Sequence, residues 1–302
     1  MQNILVYTIS PFDFKCGGLV VQYQLCKIID SLGINIRIHS PKKIANSIFS
    51  KYYNNEFDIN NTIVIYGETI EGNPLNAPYV VRWILAPLGI AGESKRHTWQ
   101  NSDIVYFFNY DKLFYINENN IDTIYKTLTT HYTNPLINNY HNPKRNGYCH
   151  TFRKSHYHKT YNPPPNNSLE ITRSHSVVDC INIFNKKKIF ISYDPLTYLT
   201  VMAVLCGCVS VVIKVDGMDE VEWLKTLTCY SYLKKNNLNK LYGIAYGVSE
   251  IKWAKSTIHL FKQQWEDILK YLETTTILPF LEDVKDLKNI QYLENNVINT
   301  FG

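Results

Sequence analysis

Residues 190–212 read Phe190-Ile-Ser-Tyr-Asp-Pro-Leu-Thr-Tyr-Leu-Thr-Val-Met-Ala-Val-Leu-Cys-Gly-Cys-Val-Ser-Val-Val212. The pattern is strand, tight turn, helix, glycine stop, strand. Lys188–Ser192 is a short apolar run of strand length. Asp194-Pro195 opens a helix expected over Leu196–Cys206, with proline at an early helical position. Gly207 ends that helix, and Val209–Ile213 supplies the next strand. Two short strands joined by one helix pair in parallel, which makes this half of the chain α/β.

The rest of the chain follows the same alternation. Asn3–Thr8 reads as a strand, Ile9–Gly18 as a loop, Leu19–Leu32 as a helix stopped by Gly33, and Ile34–His39 as a second strand. Further strands are expected at Thr62–Tyr66, Tyr79–Leu85, Asp103–Phe108 and Lys112–Ile116. Thr133–Asn146 holds Pro135, Pro143 and many asparagines without apolar periodicity, and reads as an interdomain linker. Beyond it, Gly147–Phe152 is a strand. Val177–Phe184, Met218–Thr226, Ile251–Leu272 and Phe280–Val297 are helical. The expected fold class is α/β, two Rossmann-like domains facing a cleft. The expected domains are 1–140, 147–275, and a C-terminal helix, 276–302, packing back on the first domain.

Composition narrows the classes. The chain has 302 residues, 45% hydrophobic and 19% charged, enough apolar material to exclude disorder as its main state. No apolar run reaches the ~20 residues of a membrane-spanning helix. MQNILVYTIS lacks a basic segment before its apolar stretch, so no signal peptide is expected. Seven scattered cysteines, an odd count, point to reduced thiols in a cytoplasmic compartment. A net charge of +5 is a weak sign of nucleic-acid binding.

The 190–212 block resembles the C-terminal half of GT-B glycosyltransferases, in the variant with Tyr-Asp-Pro-Leu-Thr and Cys-Gly-Cys found in a small bacterial and giant-virus subgroup. Asp194 matches the family's first acid, Ala203 its alanine, Gly207 its glycine and Val209–Val212 its strand. Met202 stands where the second acid, commonly a ribose ligand, is usual, so ribose binding would fall to Thr197 or Thr200. Cys16-Gly17-Gly18 resembles the N-terminal glycine loop. Gly67–Pro74 with Val80–Leu85, and Gly243–Gly247 leading to Glu250, resemble the same subgroup. The bland alternative is an ordinary βαβ unit with no transferase role.

The resemblance implies a donor site of Gly17, Gly18, Arg153, Lys154, Asp194, Pro195, Leu196, Thr197 and Tyr198. The amides after Asp194 offer an anion position at a helix start. Arg153 and Lys154 would neutralise the leaving diphosphate. They belong to a stretch, 134–169, with five Lys or Arg, no Asp or Glu, and four histidines. A solvated basic loop has the same composition. An inverting enzyme needs a base, and Asp13, Glu68 and His97 are candidates, each equally readable as a capping or surface residue. His150, His156 and His158 lack the spacing of a familiar zinc site, and Cys206-Gly-Cys208 reads as a tight turn, so no metal is expected.

The function expected is transfer of a sugar from a nucleotide-diphosphate sugar to a glycan or other hydroxyl acceptor, with no cofactor. The alternatives are a non-catalytic nucleotide- or glycan-binding module and a single-stranded nucleic-acid-binding protein. The partners expected are the nucleotide-sugar donor and the glycan acceptor, with neither a membrane span nor nucleic acid.

Overall fold

The computed structural model describes residues 3–12, 16–42, 49–53, 56–86, 93–109, 126–132, 134–152 and 163–285. The expected strand at Lys112–Ile116 and the tail beyond 285 lie outside them. The chain is α/β and forms two compact units, Met1–Tyr132 with Leu272–Gly302, and Thr133–Tyr271.

The first unit holds β1 (Asn3–Tyr7), α1 (Gly17–Ser31), β2 (Ile36–His39), β3 (Thr62–Gly67), β4 (Tyr79–Ile84), β5 (Ile104–Phe107) and β6 (Lys126–Thr127). These strands form one parallel sheet in the order β2-β1-β3-β4-β5-β6. All six residues of β3 are buried, as continuous apolar strands require when both sheet faces are covered. One face carries Ile4, Val6, Ile63, Ile65, Val81 and Trp83 against Tyr23, Cys26 and Ile29 of α1. The other face carries Leu5, Val64 and Tyr66, and packs on Ile70, Leu75 and Ala77 of the β3–β4 connection. That cover is loop, which the sequence pattern did not reveal.

The glycines expected just ahead of the first helix are its first two residues, because the helix starts at Gly17. The tail also joins this unit. Ile277, Phe280, Leu281 and Val284 enter the α1-side core, and the Thr129 amide donates to Thr276 Oγ1 at 3.1 Å.

The second unit holds β7 (Tyr148–Thr151), β8 (Leu169–Glu170), α2 (Val177–Lys186), β9 (Ile189–Ser192), α3 (Leu199–Leu205), β10 (Val209–Val212), α4 (Glu220–Lys225), α5 (Tyr230–Lys235), β11 (Ile244–Tyr246), α6 (Ile251–Thr257) and α7 (Phe261–Leu272). Its sheet is parallel in the order β11-β10-β9-β7-β8. Helices cover both faces. Cys149, Phe190 and Cys208 meet α2 and α3, while Ile191, Val211 and Ala245 meet Ala254 of α6. The start of α2 is fixed by a capping box between Ser176 and Asp179. Gly207 holds φ +81°, and a Cβ there would stand 2.6 Å from the Asn139 amide, so the stop must be glycine.

The stretch read as a linker is bonded into the second unit. Asn185 Oδ1 accepts from the Tyr140 amide at 2.7 Å, and its Nδ2 donates to the Asn138 carbonyl at 2.9 Å. Arg145 donates to the carbonyls of Phe184 and Cys206 and to Asn139 Oδ1. Asparagine side chains here replace the partners that an irregular backbone would otherwise lack.

Candidate functional site

In an open parallel sheet, ligands bind beyond the carboxyl ends of the strands where strand order reverses. The first sheet reverses at β1 and β3, since β2 and β3 flank β1 on opposite sides. Gly67 closes β3, and Thr8 and Glu68 lie directly past the two ends. By alternation Thr8 continues the row of Ile4 and Val6, on the face that α1 covers. It is 1% exposed, and its hydroxyl has no hydrogen-bond partner among the described residues.

The start of α1 lies over the same strand ends. Its N-cap, Cys16, makes no side-chain cap bond, and the first turn has no acid. Among the described residues no side chain of the cap or first turn compensates the partial positive charge of the amides there. A Cβ at Gly17 would meet nothing within 4 Å, while one at Gly18 would touch Leu85 Cδ1 at 3.5 Å and one at Gly67 would stand 3.3 Å from Gln22 Nε2. Close helix–sheet packing bears on Gly67 alone, since a Cβ at Gly18 would make an ordinary contact and one at Gly17 would meet nothing. Glu68 Oε2 accepts from the Leu85 amide at 3.0 Å, and burial pushes its carboxyl above the ordinary value. Asp13 lies outside the described residues. His97 is exposed on a short 3₁₀ turn, Arg96–Thr98, whose Thr98 Oγ1 accepts from the Gly72 amide.

The second sheet reverses at β7 and β9, where Thr151 and Ser192 are register partners. Phe152 stacks on Tyr193 with ring centroids 4.4 Å apart, and His150 meets both rings edge-on. Asp194 is 2% exposed, and its Oδ1 accepts from the Leu196 amide at 3.0 Å. The Thr197 hydroxyl accepts from the Leu199 amide, and the Pro195 carbonyl accepts from Trp223 Nε1. The helix therefore starts at Leu199, three residues later than its sequence suggests, and Tyr198 is its N-cap. The residues from Asp194 to Tyr198 form a turn bonded within itself, and the Leu196 amide is already taken by Asp194. Arg153 and Lys154, directly after Phe152 in sequence, lie outside the described residues.

Met202 is 6% exposed and packs with Phe190, Leu199 and the core thiols. The Met202 position thus faces an apolar core. Thr200 is spent on the Thr197 carbonyl at 2.8 Å. Arg145, one of the five basic residues of 134–169, is spent on carbonyls, which removes it from any nucleic-acid surface. Among the described residues no group of three His, Cys, Asp or Glu is placed to hold a metal ion. No helix of the described residues is long and apolar enough to cross a membrane.

Sequence reasoning missed Thr8 and the Phe152–Tyr193 stack. Each of these residues stands one position past a strand end, a signal that becomes visible only once strand order is known. No protein-family model matches the chain, and no curated protein matches it.

Proposed function

We propose that the chain is a glycosyltransferase of the GT-B type, with two Rossmann-like domains, moving a sugar from a nucleotide-diphosphate sugar to a hydroxyl acceptor without a metal. One observation carries this reading. Each parallel sheet reverses its strand order, and each reversal coincides with the residues that the sequence singles out, Gly17, Gly18 and Glu68 in one unit and Asp194 in the other. The second unit is assigned the donor. Arg153 and Lys154 meet the diphosphate, and Asp194 takes a sugar hydroxyl through the oxygen that Leu196 leaves unused. The first unit is assigned the acceptor.

Glu68 serves as the base. A carboxyl raised by burial is better matched to proton abstraction near neutral pH than an ordinary one. It takes the acceptor hydroxyl proton as the oxygen attacks the anomeric carbon and the bond to the diphosphate breaks. The cationic side chains of the second unit meet the charge that develops on the leaving group.

The test is turnover of a panel of nucleotide-sugars with simple glycan acceptors, with EDTA present throughout. Release of nucleoside diphosphate together with a glycosylated product is the expected result. A second reading, a non-catalytic nucleotide- or glycan-binding module, is favoured by the buried Met202 and by the Leu196 amide already held by Asp194. Saturable nucleotide binding with no turnover of any donor would select it.

A further inference from the structure

The amino ends of β1 and β2 border a cavity on the face of the first sheet that the β3–β4 connection covers. Arg37 is the register partner of Leu5, and Leu5 belongs to that face. Asn3 and Asn35 stand two residues before Leu5 and Arg37. The Ile4 amide donates to the Asn35 carbonyl at 3.0 Å, so the ladder reaches Asn35. By alternation the two asparagines and Arg37 share one face. They line a cavity of about 220 Å³ together with Leu5, Phe57 and Asp58. Thr8 and Glu68 lie at the opposite edge of the sheet. Thr8 follows Asn3 by five residues, about 16 Å along the strand.

The polar groups at the cavity wall have capacity to spare. Asn35 Nδ2 donates to Asn3 Oδ1 at 2.7 Å, which orients both half-buried amides. Asn3 Nδ2 and Asn35 Oδ1 have no partner among the described residues. The pair thus presents one donor and one acceptor side by side. Arg37 Nη1 donates to the Ile36 carbonyl at 2.9 Å, and its guanidinium makes no ion pair among the described residues.

The charges decide the class of ligand. Glu56 and Asp58 bring two exposed carboxylates to the same cavity. Asp58 already accepts from the Asn60 amide and from Asn61 Nδ2. Asp30, a further acid near Arg37, is paired with Lys51 at 2.6 Å. An anion that met Arg37 would also face Glu56 and Asp58, and a cation that met those would face Arg37. A neutral ligand that both donates and accepts hydrogen bonds satisfies all of these groups without burying a charge of its own. Phe57 and Leu5 add apolar surface for C–H groups. At about 30 Å³ per water the volume equals roughly seven waters, room for one sugar ring and too little for a nucleotide.

We propose that this cavity is a carbohydrate site of the first unit, separate from the candidate active site, and that it holds one neutral sugar residue against the Asn3–Asn35 amide pair and the Arg37 guanidinium. The proposal does not rest on the transferase reading.

The test is a nuclear magnetic resonance titration of the isotope-labelled full chain. The probes are methyl glycosides of neutral hexoses and N-acetylhexosamines, with a methyl hexuronide and glycine as charged controls. A neutral glycoside should shift the amide signals of Asn3, Asn35 and Arg37 saturably, while the controls should not. Arg37→Met keeps the apolar stem and Asn35→Ala removes the free acceptor, and a thermal melt checks each fold. Each variant should weaken glycoside binding about tenfold, the weight of one or two hydrogen bonds. The proposal is overturned by neutral glycosides that leave these signals unmoved, by unchanged affinity in both variants, or by tighter binding of the hexuronide or glycine at the cavity. Glycosides that shift only the Thr8 and Glu68 signals overturn it too, and leave the acceptor assignment standing. Saturable binding at Asn3 and Asn35 in a chain that turns over no nucleotide-sugar supports the carbohydrate site and sinks the transferase alone.

Discussion

The Leu85 amide donates to Glu68 Oε2 at 3.0 Å, a bond between the residues that directly follow two neighbouring parallel strands. It holds the carboxylate at the strand-end edge while the surroundings desolvate it. Because burial is the larger effect, the folded chain binds this proton more tightly than the unfolded chain does. Glu68 therefore costs stability as pH rises from the ordinary glutamate range through its raised folded value, and the cost is complete above that value. Glu68→Gln keeps an acceptor for Leu85 and removes the charge. Its melting point should exceed wild type at neutral pH and match it below the ordinary glutamate range, while transfer falls at least about 100-fold. A variant that melts like wild type at both pH values and remains active would leave Glu68 as a surface residue.

Gly17 begins α1 with open space where a side chain would sit. Gly17→Ala should leave the fold unchanged or stabilise it by up to about 1 kcal/mol, since alanine restricts the unfolded chain. The same methyl group would stand in the way of a ligand approaching the helix amides. Chemical denaturation and nucleotide titration are the paired measurements. Unchanged affinity for donor and acceptor would remove Gly17 from the site.

Asp194 separates a turn role from a sugar-binding role by its two substitutions. Asp194→Asn can still accept from the Leu196 amide, so the fold should hold, while transfer drops by about 2–4 kcal/mol in transition-state terms. Asp194→Ala should also lower stability by about 1 kcal/mol, the cost of one lost turn bond. Full activity in the asparagine variant would make Asp194 a turn residue alone.

Met202→Glu, which would introduce the second acid that the GT-B resemblance leads one to look for, should destabilise the second unit by several kcal/mol. Its carboxylate would enter the core beside Phe190, Cys180 and Cys206 without a hydrogen-bond partner. Met202→Leu preserves volume and should cost less than about 1.5 kcal/mol. Urea midpoints compare the two, and equal midpoints would contradict the packing described.

Phe280 is fully buried and meets the Tyr106 ring edge-on at 5.1 Å, and Tyr106 donates its hydroxyl to Asp283 Oδ2. Phe280→Ala should lower stability by about 3–5 kcal/mol, the usual cost of emptying a buried aromatic site. Denaturation without such a loss would show that the tail is dispensable to the first unit's core.

Several features were legible because their causes are local. The run Ile63–Tyr66 is continuously apolar and reads as a strand, and the structure buries it throughout. Gly207 stops α3 where a positive φ is needed. The Asn134–Asn146 stretch misled because its partners are remote. Asn185 and Cys206 follow Arg145 by 40 and 61 residues, and no window of sequence shows that they meet. The short strands β6 and β8 also escaped notice, since two residues carry no period.

The amino-acid sequence by itself determined that the chain is α/β, that strands near Asn3, Thr62, Tyr79 and Lys188 are buried, and that glycines lead into the first helix. Periodicity and backbone freedom act over a few residues and are written directly in the chain. Strand order was decided only in three dimensions, and strand order places Thr8 and Glu68 at one reversal and Phe152 and Asp194 at the other. Burial was decided there too. Met202 faces the thiol core, and Arg145 is spent on carbonyls, because desolvation and pairing depend on neighbours that the fold alone brings together.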